Sequence, residues 1–241
     1  MNIFKTLWND RKKLSAADGK WVAICSLIYL TFLLLDVFNP GTISSAILKY
    51  TGIFLCVVYA FSKHHRDTAL GFALLLTLLS DTFLVWTQQE LLGVLTFCIA
   101  QFIHLYRFKR GNQNYFGAAL LISFLAMVVF YHGKTEMIYL AAMFYAILLA
   151  TNFILSAKKY HKPNSTIHDR FGFYGFCLFV CCDICVAIRH IAIDGIIPNT
   201  ALPLLNFLIW FFYYPSQVFI ASSSNLKTKE SSQKACDKIK A

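Results

Sequence analysis

Apolar residues along this chain fall into eight runs, at about 21–38, 46–61, 69–86, 91–108, 115–131, 136–156, 171–191 and 201–221. Runs of roughly 16 to 21 apolar residues are long enough to cross a hydrocarbon core as helices. The connections between them are short, which favours antiparallel neighbours packed side by side. The pattern therefore predicts an all-α membrane protein, a compact bundle of eight transmembrane helices without a soluble domain. The run at 46–61 is the shortest and is interrupted by Lys49 near its start. Residues 1–20 mix Phe4, Leu7 and Trp8 with Lys and Arg and read as an arm lying on the membrane surface. Residues 222–241 are polar and lysine-rich and read as a disordered basic tail. Some twenty residues precede the first apolar run, which lacks a small-residue cleavage pattern and reads as a retained anchor.

Charge orients this bundle. Lys and Arg fall as five in the arm, two at 63–66, three at 107–110, four at 158–170 and five in the tail. Those 19 of the 22 basic residues share one side of an eight-span topology; Lys49, Lys134 and Arg189 are the remainder. The positive-inside rule puts that side, and both termini, in the cytoplasm. The formal net charge of +10 is then explained by topology and anionic lipid headgroups and calls for no nucleic-acid partner. Composition agrees with a bilayer as the main partner: 58% of residues are hydrophobic and 14% charged, against about 25% charged in soluble domains. A multi-pass protein of the cell membrane is the expected location.

Seven of the eight cysteines lie inside apolar runs, where Cys acts as a small hydrophobe. Cys182 and Cys185 form a C-x-x-C, but no second thiol or histidine pair stands at zinc spacing. No metal or cofactor is called for by any ligand spacing.

Chemistry enters with two aspartates in the middle of apolar runs, Asp81 in SDTFLVW and Asp183 in CCDICVA. Ionisable residues at membrane depth are costly and usually functional. In the eight-span topology their helices run parallel, and each aspartate lies about thirteen residues from the cytoplasmic end. The arrangement is compatible with a four-plus-four duplication, and it would let the carboxyls meet across the bundle.

Other polar residues converge from neighbouring runs. Gln101 and His104 stand at i and i+3 and share a helix face. Asn206, Trp210, Tyr213 and Gln217 form a polar–aromatic stripe, with Pro215 beside it expected to kink the helix and free the Phe211 carbonyl. Asn152, Asn206, Arg189, His190 and Asp36 have ordinary readings as interhelical hydrogen-bonding or interfacial groups. Asp81 and Asp183 are the candidate catalytic residues, whereas Gln101, His104, Tyr213, Tyr214 and Gln217 are candidates to orient water or bind substrate oxygens.

Three blocks resemble the YhhN family of integral membrane proteins, whose characterised members are lysoplasmalogenases. They are Ser80-Asp81-x-x-Leu84-Val85-Trp86, Gly175-x-x-Leu178-Phe179-x-x-Cys182-Asp183-x-x-x-Ala187, and Tyr213-Tyr214-Pro215-Ser216-Gln217. A fourth block departs: Ala100-Gln101-x-x-His104 stands where the family commonly has Ala-His-x-x-Tyr. The resemblance implies hydrolysis of the vinyl ether of a lysoplasmalogen, an ether lysophospholipid, to a fatty aldehyde and a glycerophospho-base. That reaction needs one protonated acid and one carboxylate, roles that two aspartates in a low-dielectric pocket can divide by sharing a proton. Buried carboxyls also serve proton coupling, so a lipid-binding protein or proton-coupled transporter is the alternative.

Overall fold

The computed structural model describes residues 16–62, 67–108, 137–193 and 198–224. Within them lie α1 (Ala16–Phe38), α2 (Ile43–Ser62), α3 (Thr68–Asp81), α4 (Glu90–Phe108), α5 (Met137–Tyr160), α6 (Ile167–Ile193) and α7 (Leu202–Ser222). All seven are long and apolar enough to cross a membrane, α3 when its continuation through Trp86 is included. The run at 115–131, read as a further span, lies outside the described residues, as do most of the arm and tail. The described part is a helical membrane protein.

Local chemistry sets several helix boundaries. Asp67 starts α3 by accepting from the Leu70 amide at 3.3 Å. Thr166 and Asp169 start α6 reciprocally: the Asp169 amide donates to Thr166 Oγ1, while Asp169 Oδ2 accepts from the Thr166 amide and hydroxyl. Pro203 sits at the opening of α7, where its missing N–H would have had no partner.

Consecutive helices pack as neighbours from α1 to α4 and from α5 to α7, and α4 also packs on α5. α7 closes the set by packing against α1, α2, α3 and α6, so it is the axis of the bundle. The α6–α7 approach depends on Gly175, where a Cβ would stand 2.9 Å from the Ile220 amide nitrogen. Small residues allow such backbone contact in membranes, where packing replaces the hydrophobic effect as the driving force. On the opposite side of α7, Gly52 of α2 leaves the space that the Tyr214 ring fills.

The expected kink at Pro215 leaves α7 continuous from Leu202 to Ser222, and the Phe211 carbonyl finds another donor. Tyr29 of α1 supplies its hydroxyl to that oxygen at 2.8 Å. Elsewhere most of the α1 surface is exposed, including Leu27, Leu30 and Leu34.

The polar interruption at Lys49 does not break α2. Lys49 Nζ lies 2.7 Å from Asp36 Oδ2 of α1, and Ser45 donates to the other Asp36 oxygen. Both side chains are about one-tenth exposed, at 11% and 9%. Asp36 is thus a buried ion-pair partner joining two helices, where the sequence suggested an interfacial residue. A cation in an apolar run is tolerable when an anion from the next helix meets it.

Candidate functional site

Asp81 is the last residue of α3, and the chain immediately widens into a π-helical turn over Thr82–Trp86. Single π turns inside or at the end of α-helices commonly mark functional positions, because they redirect side chains at the expense of regular hydrogen bonding. The turn is held by Thr82 Oγ1 donating to the Leu78 carbonyl at 2.9 Å, and two residues beyond its end Gln88 has a φ of 55°. Ser80 donates to the Gly93 carbonyl at 2.6 Å and fixes α3 against α4. The Asp81 side chain is buried, at 6% exposure, and its Oδ2 accepts from the Tyr213 hydroxyl of α7 at 2.6 Å.

Asp183 of α6 has different surroundings. Tyr145 of α5 is its neighbour in the interior, and the Asp183 Oδ2 atom is buried with no partner among the described residues. Among the described residues the two carboxyls make no hydrogen bond to each other: α7 places a tyrosine on Asp81, whereas Asp183 has Tyr145 of α5 only as a neighbour. They still belong to one cluster. Cys182 is buried within electrostatic reach of both aspartates, and Tyr145 within reach of Tyr213. An aromatic chain closes the group: Tyr213 meets Phe179 at 5.7 Å, Phe179 meets Phe97 at 6.1 Å, and Phe97 meets Tyr145 at 5.6 Å between ring centroids.

The other residues singled out by sequence divide. Tyr213 stands at the centre of the site. Gln101 is buried and accepts from Asn152 Nδ2 through both its carbonyl, at 2.7 Å, and its side-chain oxygen, at 2.9 Å. Gln217, one turn from Tyr213, donates to Ser216 Oγ at 3.3 Å and keeps a buried, unpartnered Oε1. His104 sits toward the opposite end of α4, its ring edge-on to Phe176 at 5.3 Å. Arg107 donates to its Nδ1 at 3.4 Å, which leaves Nε2 as the protonated nitrogen, and is itself held by Asp67 at 2.7 Å. Tyr214 is turned away from the aspartates. Its hydroxyl donates to the Cys25 carbonyl at 3.2 Å, and its ring stacks on Tyr29 at 5.5 Å. That placement makes it a packing residue between α7, α1 and α2.

Two site residues escaped the sequence. Tyr145 lies seven positions before Asn152 and so shares its helix face, the one signal that marked it. Tyr50 of α2 approaches Asp81 and Trp86, its hydroxyl buried without a partner. Next to Lys49 in an apolar run, it carried no sequence signal. Tyr50 Oη, Asp183 Oδ2 and Gln217 Oε1 are therefore polar atoms in the interior that lack partners among the described residues. In a protein interior such atoms ordinarily find partners, and an unpaired set is what a polar ligand would satisfy. Among the described residues, no three His, Cys, Asp or Glu side chains gather to hold a metal ion.

The fold and site define a multi-pass helical membrane protein with two carboxyls in its interior, one of them hydrogen-bonded to a tyrosine of the central helix. The chain belongs to the YhhN family, whose model matches residues 44–224 and so takes in both aspartate blocks and the whole of α7. Comparison with curated proteins and with solved structures found no match.

Proposed function

We propose that this protein is a membrane-embedded lipid hydrolase that cleaves the vinyl ether bond of lysoplasmalogen-type lysophospholipids. The observation that carries this reading is two interior carboxyls with unlike surroundings, Asp81 buried and Asp183 half-buried with one buried oxygen. Asp81 Oδ2 accepts from Tyr213, and Asp183 keeps an unpartnered Oδ2. Vinyl ether hydrolysis begins with proton transfer to the β-carbon, giving an oxocarbenium ion at the carbon bearing oxygen. Asp183 is the group free to direct a proton at substrate. Asp81, steadied by Tyr213, would face the cation and take a proton from the attacking water. Water adds to the oxocarbenium carbon, and the hemiacetal collapses to a fatty aldehyde and the free glycerol hydroxyl of the glycerophospho-base. Glycosidases divide two carboxyls in a related way.

The aromatic lining from Phe97 to Tyr213 suits an alkenyl chain, while Tyr50 and Gln217 offer polar atoms to the glycerol oxygens. Gln101 is committed to Asn152, and it shapes the wall. The reading includes an eighth span at 115–131, both termini in the cytoplasm and residence in the cell membrane, as the distribution of basic residues supports. Purified protein incubated with a 1-alkenyl lysophospholipid should release long-chain aldehyde, and a saturated 1-alkyl analogue should give none. Movement of lipid driven by a pH gradient, with no covalent change in it, would replace this reading with the proton-coupled transporter.

A further inference from the structure

Two cations meet the face of α7 that leads from the rim of the bundle toward Asp81, and the hydrolytic step does not use them. At the rim, Arg189 near the end of α6 donates through Nε to Asn206 Oδ1 of α7 at 2.7 Å. One turn further along α7, Lys49 Nζ lies 4.8 Å from the centre of the Trp210 ring, held there by Asp36. Asn206 and Trp210 are i and i+4, so both cations meet the same face of α7. The next residue on that face is Tyr213, 5.5 Å from Trp210 between ring centroids and hydrogen-bonded to Asp81. Exposure falls along the stripe, from an exposed Asn206 through a partly buried Trp210 to a buried Tyr213.

From this arrangement we infer that Lys49 and Arg189 form a subsite for the phosphodiester of the substrate headgroup; the inference rests on the reading of the site as one that takes a lysophospholipid. Lys49, Arg189 and Asp36 together carry one net positive charge, which matches the single negative charge of a phosphodiester. Asp36 occupies one of the three donors of the Lys49 ammonium and, fixed by Ser45, holds the others in place. Arg189 uses Nε on Asn206, and its Nη groups make no hydrogen bond among the described residues, leaving the planar fork that suits phosphate. The glycerol of a lysophospholipid separates its phosphate from the vinyl ether by a few bonds. That interval corresponds to the Trp210 side chain standing between Lys49 and Tyr213. The headgroup would thus be held at the rim while the vinyl ether reaches the carboxyls.

The test is equilibrium binding to the purified full chain in detergent. The probes are a non-hydrolysable 1-alkyl lysophospholipid and the 1-alkylglycerol that lacks its phosphate, with inorganic phosphate as a third ligand. Wild type should prefer the phosphate-bearing lipid by about tenfold or more, the scale of charge-assisted hydrogen bonds. Arg189→Gln, and the charge-matched double variant Asp36→Asn with Lys49→Gln, should each bring that ratio toward one. Lys159→Gln, whose ammonium instead lies over Phe108, should preserve it. An unchanged ratio in both rim variants would overturn the subsite. Inorganic phosphate binding as tightly as the lipid would overturn the headgroup assignment in favour of a free anion. Because the readout needs no bond cleavage, a wild type with the expected ratio but no aldehyde release would remove the hydrolase and leave the subsite.

Discussion

The Tyr213 hydroxyl donates to Asp81 Oδ2 across 2.6 Å, tying the central helix α7 to the end of α3 at the point where α3 widens into its π turn. A hydrogen bond to a charged partner at a buried site contributes about 1.5–3 kcal/mol. Its geometry is sustained by the contacts of the Tyr213 ring with Phe179 and Trp210, which a phenylalanine would keep. Tyr213→Phe should therefore insert and fold, yet lose about 10- to 100-fold in kcat/KM for aldehyde release.

Tyr214, the neighbour of Tyr213, gives the contrasting case. Its hydroxyl bonds to the Cys25 backbone and its ring fills the space over Gly52. Tyr214→Phe should lower stability by about 0.5–1.5 kcal/mol, read as a lower midpoint of thermal unfolding in detergent, with kcat/KM near wild type. Gly52→Val should be far more disruptive, because its side chain would occupy the position of the Tyr214 ring.

The Lys49–Asp36 pair predicts a non-additive pattern. Lys49→Met strands a buried Asp36 and should cost about 3–5 kcal/mol, whereas adding Asp36→Asn should recover most of that loss. A double-mutant cycle on unfolding midpoints measures the coupling. Simple additivity would mean that the two charges are not paired in the folded protein.

Asn152 supplies both of its amide protons' worth of bonding to Gln101, at the backbone and the side-chain oxygen. Asn152→Leu removes the donor of the buried Gln101 side-chain oxygen and should destabilise the α4–α5 contact by about 1–3 kcal/mol. Stability should fall while the ligand preference at the rim stays as in wild type.

Much of the helical framework was legible in the order of apolar residues, because a bilayer requires long apolar runs and satisfied backbone groups. The run at 69–86 is a case in point: its length was right, but the change at Asp81 from α-helix to π turn leaves no periodic trace. Lys49 marked its run as doubtful because hydropathy counts a charge as a cost, and the compensating Asp36 lies on another helix. Pairing between helices is a tertiary fact. The same limit applies at the site. Asp81 and Asp183 were visible as anomalies in apolar runs, while the tyrosines beside them were not, since tyrosine is common in membrane helices. Of the two adjacent tyrosines in α7, a rotation of one residue sends Tyr213 to Asp81 and Tyr214 to the far side. The block Tyr213-Tyr214 alone carries no instruction about which faces the carboxyls.

In the proposed reaction Asp81 and Asp183 perform the bond cleavage together. The most direct measurement is mass-spectrometric aldehyde release from a 1-alkenyl lysophospholipid by purified wild type, Asp81→Asn and Asp183→Asn, each confirmed folded by its unfolding midpoint. Both variants should fall by about 10²–10⁴-fold, the contribution of a positioned acid or base. A wild-type rate in either folded variant would remove that carboxyl from the bond cleavage.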